Sequence, residues 1–491
     1  MNTSDALIPA HPQGDDNSSA LTRTLEAALS VAQEASSGLR VQTPGGVVFV
    51  EWDPQAALTP VGQLVFFAQF LEVCDLFENL CQTCPVQLTS PNAPTARNAL
   101  GTLLMGILCG QHRYAHLSSL RFDPVNPQLL GMSKVVSEDS ARRYLAAMTD
   151  EQSGQWLRGQ LQECWGPLLM EPWVLDIDTT IKPIYGHQDA AKKGCNPAKP
   201  GRPSLACHSY FIGTLRVCLD VEVEPGDCCA AKHGHAGLWR IIDALPKEQR
   251  PAMIRGDLAY GEEKLMSACE ERGQPYLFKL RQSPKVKDLI KLLEQRGGAW
   301  QHAGQGFEGM ESRLRLKAWS RERRVIVLRR PVKVRQAASE LPLLESGDLV
   351  VERQATHEFM VLITNLDLPI IGIPQLYRDR ADVENCFDEL KNQWGWSGFT
   401  TKDLSRSQTM ARLVALVYNW WSLFVGLIEP TKHAEAITSR PQLLHGVARA
   451  TQSGRQTTIS VTSTHAQAAR TQERQGWVSR FLGALKQVRS S

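Results

Sequence analysis

The sequence lacks the long apolar run and the leader pattern that direct a chain to a membrane. No run of 18 apolar residues suggests a membrane span, and the N-terminal MNTSDALIPAHPQ has no signal-peptide pattern. The net charge is only +3, which by itself favours no partner. With 491 residues and 43% hydrophobic content, we expect a cytoplasmic protein of two to four domains with an ample core.

The cysteines give little sign of disulfides or of a metal centre. Most of the twelve lie within apolar runs, as Cys109 and Cys218 do, and this is typical of reduced core residues. The pair Cys81 and Cys84 has no second well-spaced pair. A later group comprises Cys228, Cys229, His233 and His235. Because that group lacks a clear tetrahedral ligand set, the sequence does not predict structural zinc.

Four polar residues recur at helical spacing in YRDRADVENCFDELKNQWGW. Tyr377, Arg380, Glu384 and Lys391 fall at offsets 0, 3, 7 and 14, and no proline or glycine occurs before Gly395. At roughly 100° per residue, the four would share one narrow stripe of a single helix. Taken alone, this pattern fits a solvated helix face with an Arg–Glu ion pair.

Two short apolar segments upstream each end in aspartate. In EPWVLDIDTT, Asp176 and Asp178 lie on the same face of a predicted strand, and in PAMIRGDLAYG a strand leads to Asp257. Either aspartate alone could equally be a helix cap or a turn residue. Acids at strand ends are costly to bury unpaired. Two such strands together with Glu384 therefore suggest three oxygen ligands for hard cations such as Mg²⁺.

This combination resembles the DDE transposases of bacterial insertion sequences, in the group whose signature is Y-(2)-R-(3)-E-(6)-K. The matching positions are Tyr377, Arg380, Glu384 and Lys391 for the signature, Asp178 in DIDTT and Asp257 in IRGDLAYG. The segments KPIYGHQDAAKKGCNPAKPGRPS and MARLVALVYNWWSLF are also similar, and the resemblance runs from about residue 60 to residue 425. Asp176 is the rival for the first aspartate, and the DTT context favours Asp178.

The resemblance implies two-metal phosphodiester chemistry at these acids. Asp178, Asp257 and Glu384 would be both the catalytic residues and the ligands of two Mg²⁺ ions, with Mn²⁺ as a substitute. Asp178 would bridge the ions, and the other two acids would each complete one coordination shell. The implied activity is binding of terminal inverted repeats, strand cleavage and 3′-hydroxyl strand transfer into target DNA.

The resemblance also implies how the DNA ends are handled. Arg380 and Lys391 would bind phosphates, and Tyr377 would donate a hydrogen bond to phosphate or position the strand end. Related transposases form a hairpin on the transposon end, which requires a displaced base held by stacking. Trp319 and Trp300 are candidates for that stacking partner, although either fits a core or loop aromatic as well. A homodimer assembled on paired double-stranded ends is expected, in a nucleoid-associated protein.

Basic segments flank the acidic motif in sequence. Residues 279–335 hold 16 Lys/Arg against 5 Asp/Glu, residues 402–491 hold 12 against 4, and the loop from Lys182 to Arg202 holds five bases and one acid. Any one of these segments could be ordinary surface charge, but three around one motif set favour nucleic acid. The candidate DNA contacts in the loop are Lys192, Lys193, Lys199 and Arg202.

A second candidate DNA contact lies in the segment SKVVSEDSARRYLAAM. Ser137 is a predicted helix N-cap, and Arg142 and Arg143 project from the helix that follows it. The segment resembles the second helix of a helix-turn-helix, which would enter the major groove. The alternative is a charged face on an all-α domain.

The predicted fold class is α/β, mixed and multidomain, with a ribonuclease H-like catalytic domain that carries a β-rich insertion. An all-α DNA-binding domain that recognises the terminal repeats precedes it. The predicted divisions are a mobile tail at 1–38, a mainly helical DNA-binding domain at 39–168, the catalytic domain at 169–281 and 371–430, the insertion at 282–370, and a basic C-terminal region at 431–491.

Two other function classes remain open from the sequence. One is a metal-dependent nuclease with the same fold but without strand transfer. The other is a DNA-binding relative that has lost catalysis, and the intact set of three acids argues against it.

Overall fold

A computed structural model describes most of the chain. The described residues are 23, 25, 39–53, 55–170, 172–196, 199–228, 230–233, 235–297, 299–332, 356–399, 401–462 and 468–490. They divide into two compact units, Met1–Ala56 and Ala57–Ser491. The predicted mobile tail at 1–38 lies outside these residues apart from positions 23 and 25.

The first unit contains a two-stranded hairpin. Strand β1 (Leu39–Thr43) pairs antiparallel with β2 (Gly46–Val50) across a turn at residues 44 and 45. Gly46 has a φ of +115°, a left-handed conformation that favours glycine, so the turn closes without strain.

The second unit contains the remaining strands and the helices. Its strands are β3 (Leu58–Thr59), β4 (Val174–Pro183), β5 (Lys192–Lys193), β6 (Pro203–Ile212), β7 (Val217–Pro225), β8 (Met253–Gly256), β9 (Tyr276–Lys279), β10 (Gln301–His302), β11 (Glu308–Leu314), β12 (Arg323–Val332), β13 (Thr356–Thr364), β14 (Ala448–Ser453) and β15 (Gln456–Val461). Its α-helices are α1 (Leu64–Val73), α2 (Leu76–Gln82), α3 (Ala96–Leu108), α4 (Asn126–Leu129), α5 (Glu138–Ala146), α6 (Asp150–Trp165), α7 (Ala230–His233), α8 (Ala236–Asp243), α9 (Glu263–Glu271), α10 (Pro284–Gln295), α11 (Gly372–Arg378), α12 (Ala381–Asn392), α13 (Leu404–Ile428), α14 (Ala436–Leu443) and α15 (Ala468–Ser490).

A ten-stranded mixed sheet organises the second unit, so the predicted α/β class is confirmed. Its order is β10-β11-β12-β13-β9-β8-β4-β6-β5, and β7 also pairs with β6. Strands β4, β8 and β9 are parallel, whereas β6 and β7 continue the sheet antiparallel. Strand β4 extends five residues beyond Asp178, so the prediction that the strand ends there was wrong. The pairing of Pro183 with Ser204 on β6 sustains the longer strand.

The predicted β-rich insertion begins with a helix and then joins the central sheet. Helix α10 comes first, and β11, β12 and β13 follow as an antiparallel meander. Strand β13 then pairs with β9, from Thr364 against Leu277 to Leu362 against Lys279. The apolar run RRVIVLRR and the matching run in β13 thus fill the interior of one continuous sheet.

The helices predicted between residues 60 and 165 are present as α1 to α3, α5 and α6. They are not isolated from the rest of the unit. Strand β3 pairs with β14 in a three-stranded sheet, and α1 packs on α15 and α13. The N-terminal helical segment therefore shares its core with the C-terminal end of the chain.

Helix α13 is the central buried helix of the second unit. Its most apolar stretch has a mean hydropathy of 1.5, so by length and composition the helix could cross a membrane, but 83% of that stretch is buried within the protein. Burial on most sides explains why so many of its residues are apolar.

Two side-chain amides of α13 form hydrogen bonds with the backbone at the outer edge of β7. Asn419 exchanges two hydrogen bonds of 2.8 Å with the backbone N–H and C=O of Cys218. Gln408 accepts from the N–H of Val223 (2.6 Å) and donates to the carbonyl of Val221 (2.8 Å). Side-chain amides thus occupy backbone groups that another strand would otherwise use.

Candidate active site

The three predicted catalytic acids lie on two neighbouring strands and one helix. Asp178 is within β4, and Asp257 directly follows β8. These strands are parallel, with Ile177 opposite Gly256, so the next residues along each strand are Asp178 and Asp257. Glu384 lies in the first turn of α12. The sheet therefore presents both aspartates at one end of its central strands.

One buried guanidinium joins two of these acids. The side chain of Arg380 is only 6% exposed, and its Nη2 donates to Oδ2 of Asp178 at 2.5 Å. Its Nη1 donates to Oε1 of Glu384 at 2.6 Å. The carboxylates of Asp178 and Glu384 therefore lie within the span of a single guanidinium. The Glu384 side chain is 64% exposed, so the cluster opens to solvent at that side.

Close packing brings α12 against the sheet. Gly213, after β6, faces Val383 and Asp176, and a Cβ at this position would lie 2.6 Å from Cγ2 of Val383 and 2.9 Å from Oδ2 of Asp176. Any side chain at Gly213 would push away the helix turn that carries Glu384. The glycine is thus required for the acids to converge.

The cluster has three acids and one arginine, so it has less positive than negative charge. Burial, together with the charges of Asp257 and Glu384, raises the pKa of Asp178 to about 7, while the charge of Arg380 opposes this shift. Burial also raises the pKa of Tyr377 to about 12. A carboxylate held near half-protonation by burial and like charges can be stabilised by an additional cation.

The raised pKa of Asp178 predicts a specific pH dependence of stability in metal-free protein. Its unfolded pKa is about 3.9, so the folded state favours the protonated acid, and the cost of ionising it appears as pH rises from about 4 to about 7. Asp178→Asn removes that cost. Urea unfolding should therefore show the variant gaining stability relative to the unsubstituted protein over this range, with a plateau above pH 7. A constant difference between the two proteins would contradict the raised pKa.

Asp176, the rival for the first catalytic position, is held in a buried ion pair. It is fully buried, and both its oxygens accept hydrogen bonds from Arg255, at 2.6 Å from Nε and 2.9 Å from Nη2. Arg255 also donates to the carbonyl of Leu376, at the end of α11. The pair ties β4, β8 and α11 together, and a metal at Asp176 would have to compete with Arg255 for both oxygens.

The signature residues do not lie on one continuous helix, so that prediction was wrong. Helix α11 ends at Arg378 and α12 begins at Ala381. The N–H of Arg380 bonds the carbonyl of Tyr377, three residues back, and this tighter turn separates the two helices. The turn directs Arg380 into the protein. In this position its guanidinium bonds both Asp178 and Glu384, two contacts that helical spacing does not reveal.

Two of the predicted DNA-contact residues of the loop after β4 lie over the ring of an exposed tyrosine. Tyr185 is 67% exposed, with the guanidinium carbon of Arg202 and the ammonium of Lys199 at 4.5 and 4.8 Å from its ring centroid. Lys192 and Lys193 are exposed on β5, and Lys192 lies 4.0 Å from Asp227. Sequence reasoning named the four cations but missed the aromatic ring between two of them.

The remaining predicted DNA contacts are more enclosed. Lys391 is half-buried on α12. Ser137 caps α5 as predicted, accepting from the N–H of Ser140 at 3.2 Å. Arg142 is half-buried over the ring of Tyr114, at 4.9 Å, whereas Arg143 is exposed. On α5, only Arg143 offers an accessible guanidinium.

The two tryptophans named as stacking candidates differ in exposure. Trp319 is 5% exposed, with Arg323 over its ring at 5.5 Å. Trp300 is half-buried, and Arg329 covers its ring at 4.1 Å. Trp319 would have to leave its packing to stack on a base, whereas Trp300 is more exposed, although it also packs against the core and lies 6.5 Å from Phe359 between ring centroids.

Comparison with known proteins bears on what this cluster does. The sequence profile described as transposase DDE domain group 1 matches residues 61–476. The chain belongs to this DDE transposase family. The match confirms the resemblance seen from about residue 60 and extends it past residue 425, so the transposase family covers nearly all of the second unit.

A solved structure similar to this transposase is a cryo-EM structure of a piggyBac transposase synaptic complex with hairpin DNA. The two chains are 12% identical, the alignment covers 89% of this chain and 84% of that one, and the TM-score is 0.39. No curated protein sequence matches this chain.

Next to Asp178 on β4, the transposase has a buried hydrogen-bond chain that could not be seen in the sequence. Tyr260 and Thr179 share a hydrogen bond of 2.7 Å between their hydroxyls, and Thr179 Oγ1 lies 3.0 Å from Nδ1 of His208. Nε2 of His208 lies 3.0 Å from the carbonyl of Cys228. Burial lowers the pKa of His208 to about 3, so the ring is neutral. Its single proton must be on Nε2, because a carbonyl only accepts.

Proposed function

We propose that this transposase cuts DNA at the ends of an insertion sequence and transfers the freed 3′-hydroxyls into target DNA. The observation that carries the proposal is the buried Arg380, bonded at once to Asp178 and Glu384. Asp257 follows the strand next to Asp178. A structural ion pair needs one acid and one base, whereas three acids around one arginine leave negative charge for a further cation.

The central strands support a ribonuclease H-like catalytic domain. Their order is β7-β6-β4-β8-β9, with the first three antiparallel and the last three parallel. In this proposal β4 is the first strand of that domain, and the helix α12 supplies the third acid. The division into five segments, with the insertion at 282–370 as a domain, remains part of the proposal.

The residues present fit two Mg²⁺ ions, or Mn²⁺ in their place, because all three converging donors are carboxylates. When bound, the ions would activate the attacking oxygen and neutralise charge on the leaving oxygen. Asp178, Asp257 and Glu384 would hold them. Arg380 would then exchange a carboxylate for a phosphate of the DNA, since a guanidinium binds either in the same geometry.

The proposed DNA contacts divide into exposed and enclosed groups. Lys199 and Arg202 lie over the ring of Tyr185, Lys192 and Lys193 are exposed on β5, and all four would bind the backbone phosphates at the end of the transposon. Lys391 and Tyr377 are half-buried on the same side as Glu384 and would contact the strand that is cut. Arg143, with Arg142 behind it, would contact the terminal repeat. If a hairpin forms, Tyr185 or Trp300 offers a better stacking surface than Trp319.

Tyr185 gives this part of the proposal a direct test. Tyr185→Ala should weaken binding to an unpaired or frayed DNA end by about tenfold, because base–aromatic stacking is lost while both flanking cations remain. Tyr185→Phe keeps the ring and is the matched control. Fluorescence anisotropy with fully paired and frayed oligonucleotides measures both affinities. Equal affinities for the Ala and Phe variants would remove Tyr185 from the DNA interface.

The decisive experiment is a strand-transfer assay. Purified protein, Mg²⁺, a target plasmid and oligonucleotides carrying the inverted repeats that flank the gene are combined, and the products are sequenced. Joined 3′ ends are expected, with a hairpin on the cut end if the route is cut-and-paste. Cleavage without joining would favour the metal-dependent nuclease. Neither cleavage nor joining would favour a DNA-binding relative. A homodimer on paired ends, acting at the nucleoid in the cytoplasm, completes the proposal.

A further inference from the structure

A second group of metal-ligating side chains lies behind the catalytic strand. His208 on β6, Cys228 in the turn after β7 and His233 on α7 each offer one ligand atom, and these atoms all lie within 4.8 Å of one another. His208 is 2% exposed, the side chain of His233 is 6% exposed, and Cys228 is half-buried. The histidine rings are stacked, with centroids 3.9 Å apart.

A carboxylate orients one of these histidines. Nε2 of His233 lies 2.8 Å from Oε2 of Glu222, which also accepts from the hydroxyl of Tyr210 at 2.9 Å. Arg240 donates to the other oxygen of Glu222. Bonded in this way, Glu222 is an ionised acceptor, so His233 carries its proton on Nε2 and presents the lone pair of Nδ1. Carboxylate-to-histidine bonds of this kind fix the ring of a metal ligand.

The second histidine already faces the thiol-bearing residue. The Nε2–H of His208 points at the carbonyl of Cys228, 3.0 Å away. A metal at Nε2 would move the ring proton to Nδ1, where Oγ1 of Thr179 can accept it and Thr179 can donate in turn to Tyr260. The Cys228 thiol would lose its proton to solvent. No other change of protonation is needed.

We propose that His208, Cys228 and His233 form a zinc site separate from the catalytic acids. Two imidazoles and one thiolate are ligands of Zn²⁺ and are poor ligands for Mg²⁺, so the two sites would select different metals. Among the described residues the set supplies three ligands, which leaves a fourth position for water. His235 is bonded instead to Glu262 at 3.1 Å and does not belong to the group.

The site would fix the back of the catalytic strand. Thr179 immediately follows Asp178 and pairs with His208 across β4 and β6. A metal on His208 would therefore hold the two strands together at the residue next to a catalytic acid. The proposal does not depend on strand transfer, and metal binding can be measured without DNA.

The test measures metal content and spectra of the full-length protein. Chelator-stripped protein is titrated with Zn²⁺ against a competing chromophoric chelator, and with Co²⁺ by absorption spectroscopy. We expect one more tightly bound Zn²⁺ in the unsubstituted protein than in Cys228→Ser, and a thiolate-to-cobalt charge-transfer band that this variant lacks. Cys195→Ser removes an exposed thiol outside the cluster and should change neither result.

Two further variants keep the test decisive. His233→Gln should abolish the same equivalent of zinc, and it serves if Cys228→Ser does not fold. Glu222→Gln should weaken zinc binding by about 10- to 100-fold while the charge-transfer band persists, because it loosens the orientation of His233 and leaves the ligands in place. If the unsubstituted protein binds no zinc and gives no thiolate band with cobalt, the proposal is overturned. His208 and His233 are then two stacked histidines that only form hydrogen bonds with their other neighbours.

Discussion

Asp178→Asn is expected to reduce metal-dependent DNA cleavage by about 10³-fold or more while the protein stays folded. The change removes a carboxylate that would hold the metals, and electrostatic groups aimed at the reacting phosphate are worth several kcal/mol. Stability should not fall, because burial and neighbouring charges already disfavour the ionised acid. Gel assays of cleavage with Mg²⁺ measure the first effect, and thermal unfolding at pH 8 without metal measures the second.

The matched control for this prediction is Asp382→Asn on α12. Asp382 lies two residues before Glu384, and its side chain is 46% exposed and pairs with Arg216 at 3.2 Å. The substitution makes the same change of charge close to the site without touching the three acids, so cleavage should persist. Substantial cleavage by Asp178→Asn would show that the catalytic acids lie elsewhere.

Asp176→Asn should have the opposite effect. Its direct consequence should be a loss of folding stability and not a loss of cleavage. The change leaves the buried Arg255 without its counter-charge, and breaking a buried ion pair in this way costs about 3–5 kcal/mol. Urea unfolding should show the loss at every pH at which the pair is ionised. Any loss of cleavage should follow the loss of folded protein.

A double variant separates charge from packing at this pair. Arg255→Met combined with Asp176→Asn removes the uncompensated guanidinium, so part of the lost stability should return. The hydrogen bond from Arg255 to Leu376 is lost as well, and recovery should therefore be incomplete. If Asp176→Asn is as stable as the unsubstituted protein but does not cleave, Asp176 is the metal ligand and the assignment of Asp178 fails.

Much of the site could be predicted from the sequence because its information is local. The spacing of the signature and the apolar strands before Asp178 and Asp257 are patterns of neighbouring residues, and they identified the family that the profile match confirms. The preference for Asp178 over Asp176 came from resemblance alone. Strand periodicity could not separate them, since both face the same side. The partner that distinguishes them, Arg255, lies 79 residues further along the chain.

The features that could not be predicted depend on contacts distant in sequence. The turn between α11 and α12 carries Arg380, which bonds Asp178, 202 residues away. Helical spacing carries no trace of that attraction. Similarly, the sequence around Cys228 does not show the third ligand of the proposed zinc site. That ligand is His208, which lies beside Cys228 only because β6 and β7 pair. The strands of 282–370 had the right composition, but whether they join β9 or form their own sheet depends on pairing partners.

The hydrogen bonds from side-chain amides of α13 to the outer edge of β7 limit how two copies of this protein can assemble. Asn419 and Gln408 occupy backbone groups of Cys218, Val221 and Val223. A second copy could not extend the sheet at this edge without stripping away a buried helix. Side-by-side strand addition, the commonest route to unwanted fibrous association, is closed there. A dimer on paired DNA ends must therefore be built through other surfaces or through the DNA itself.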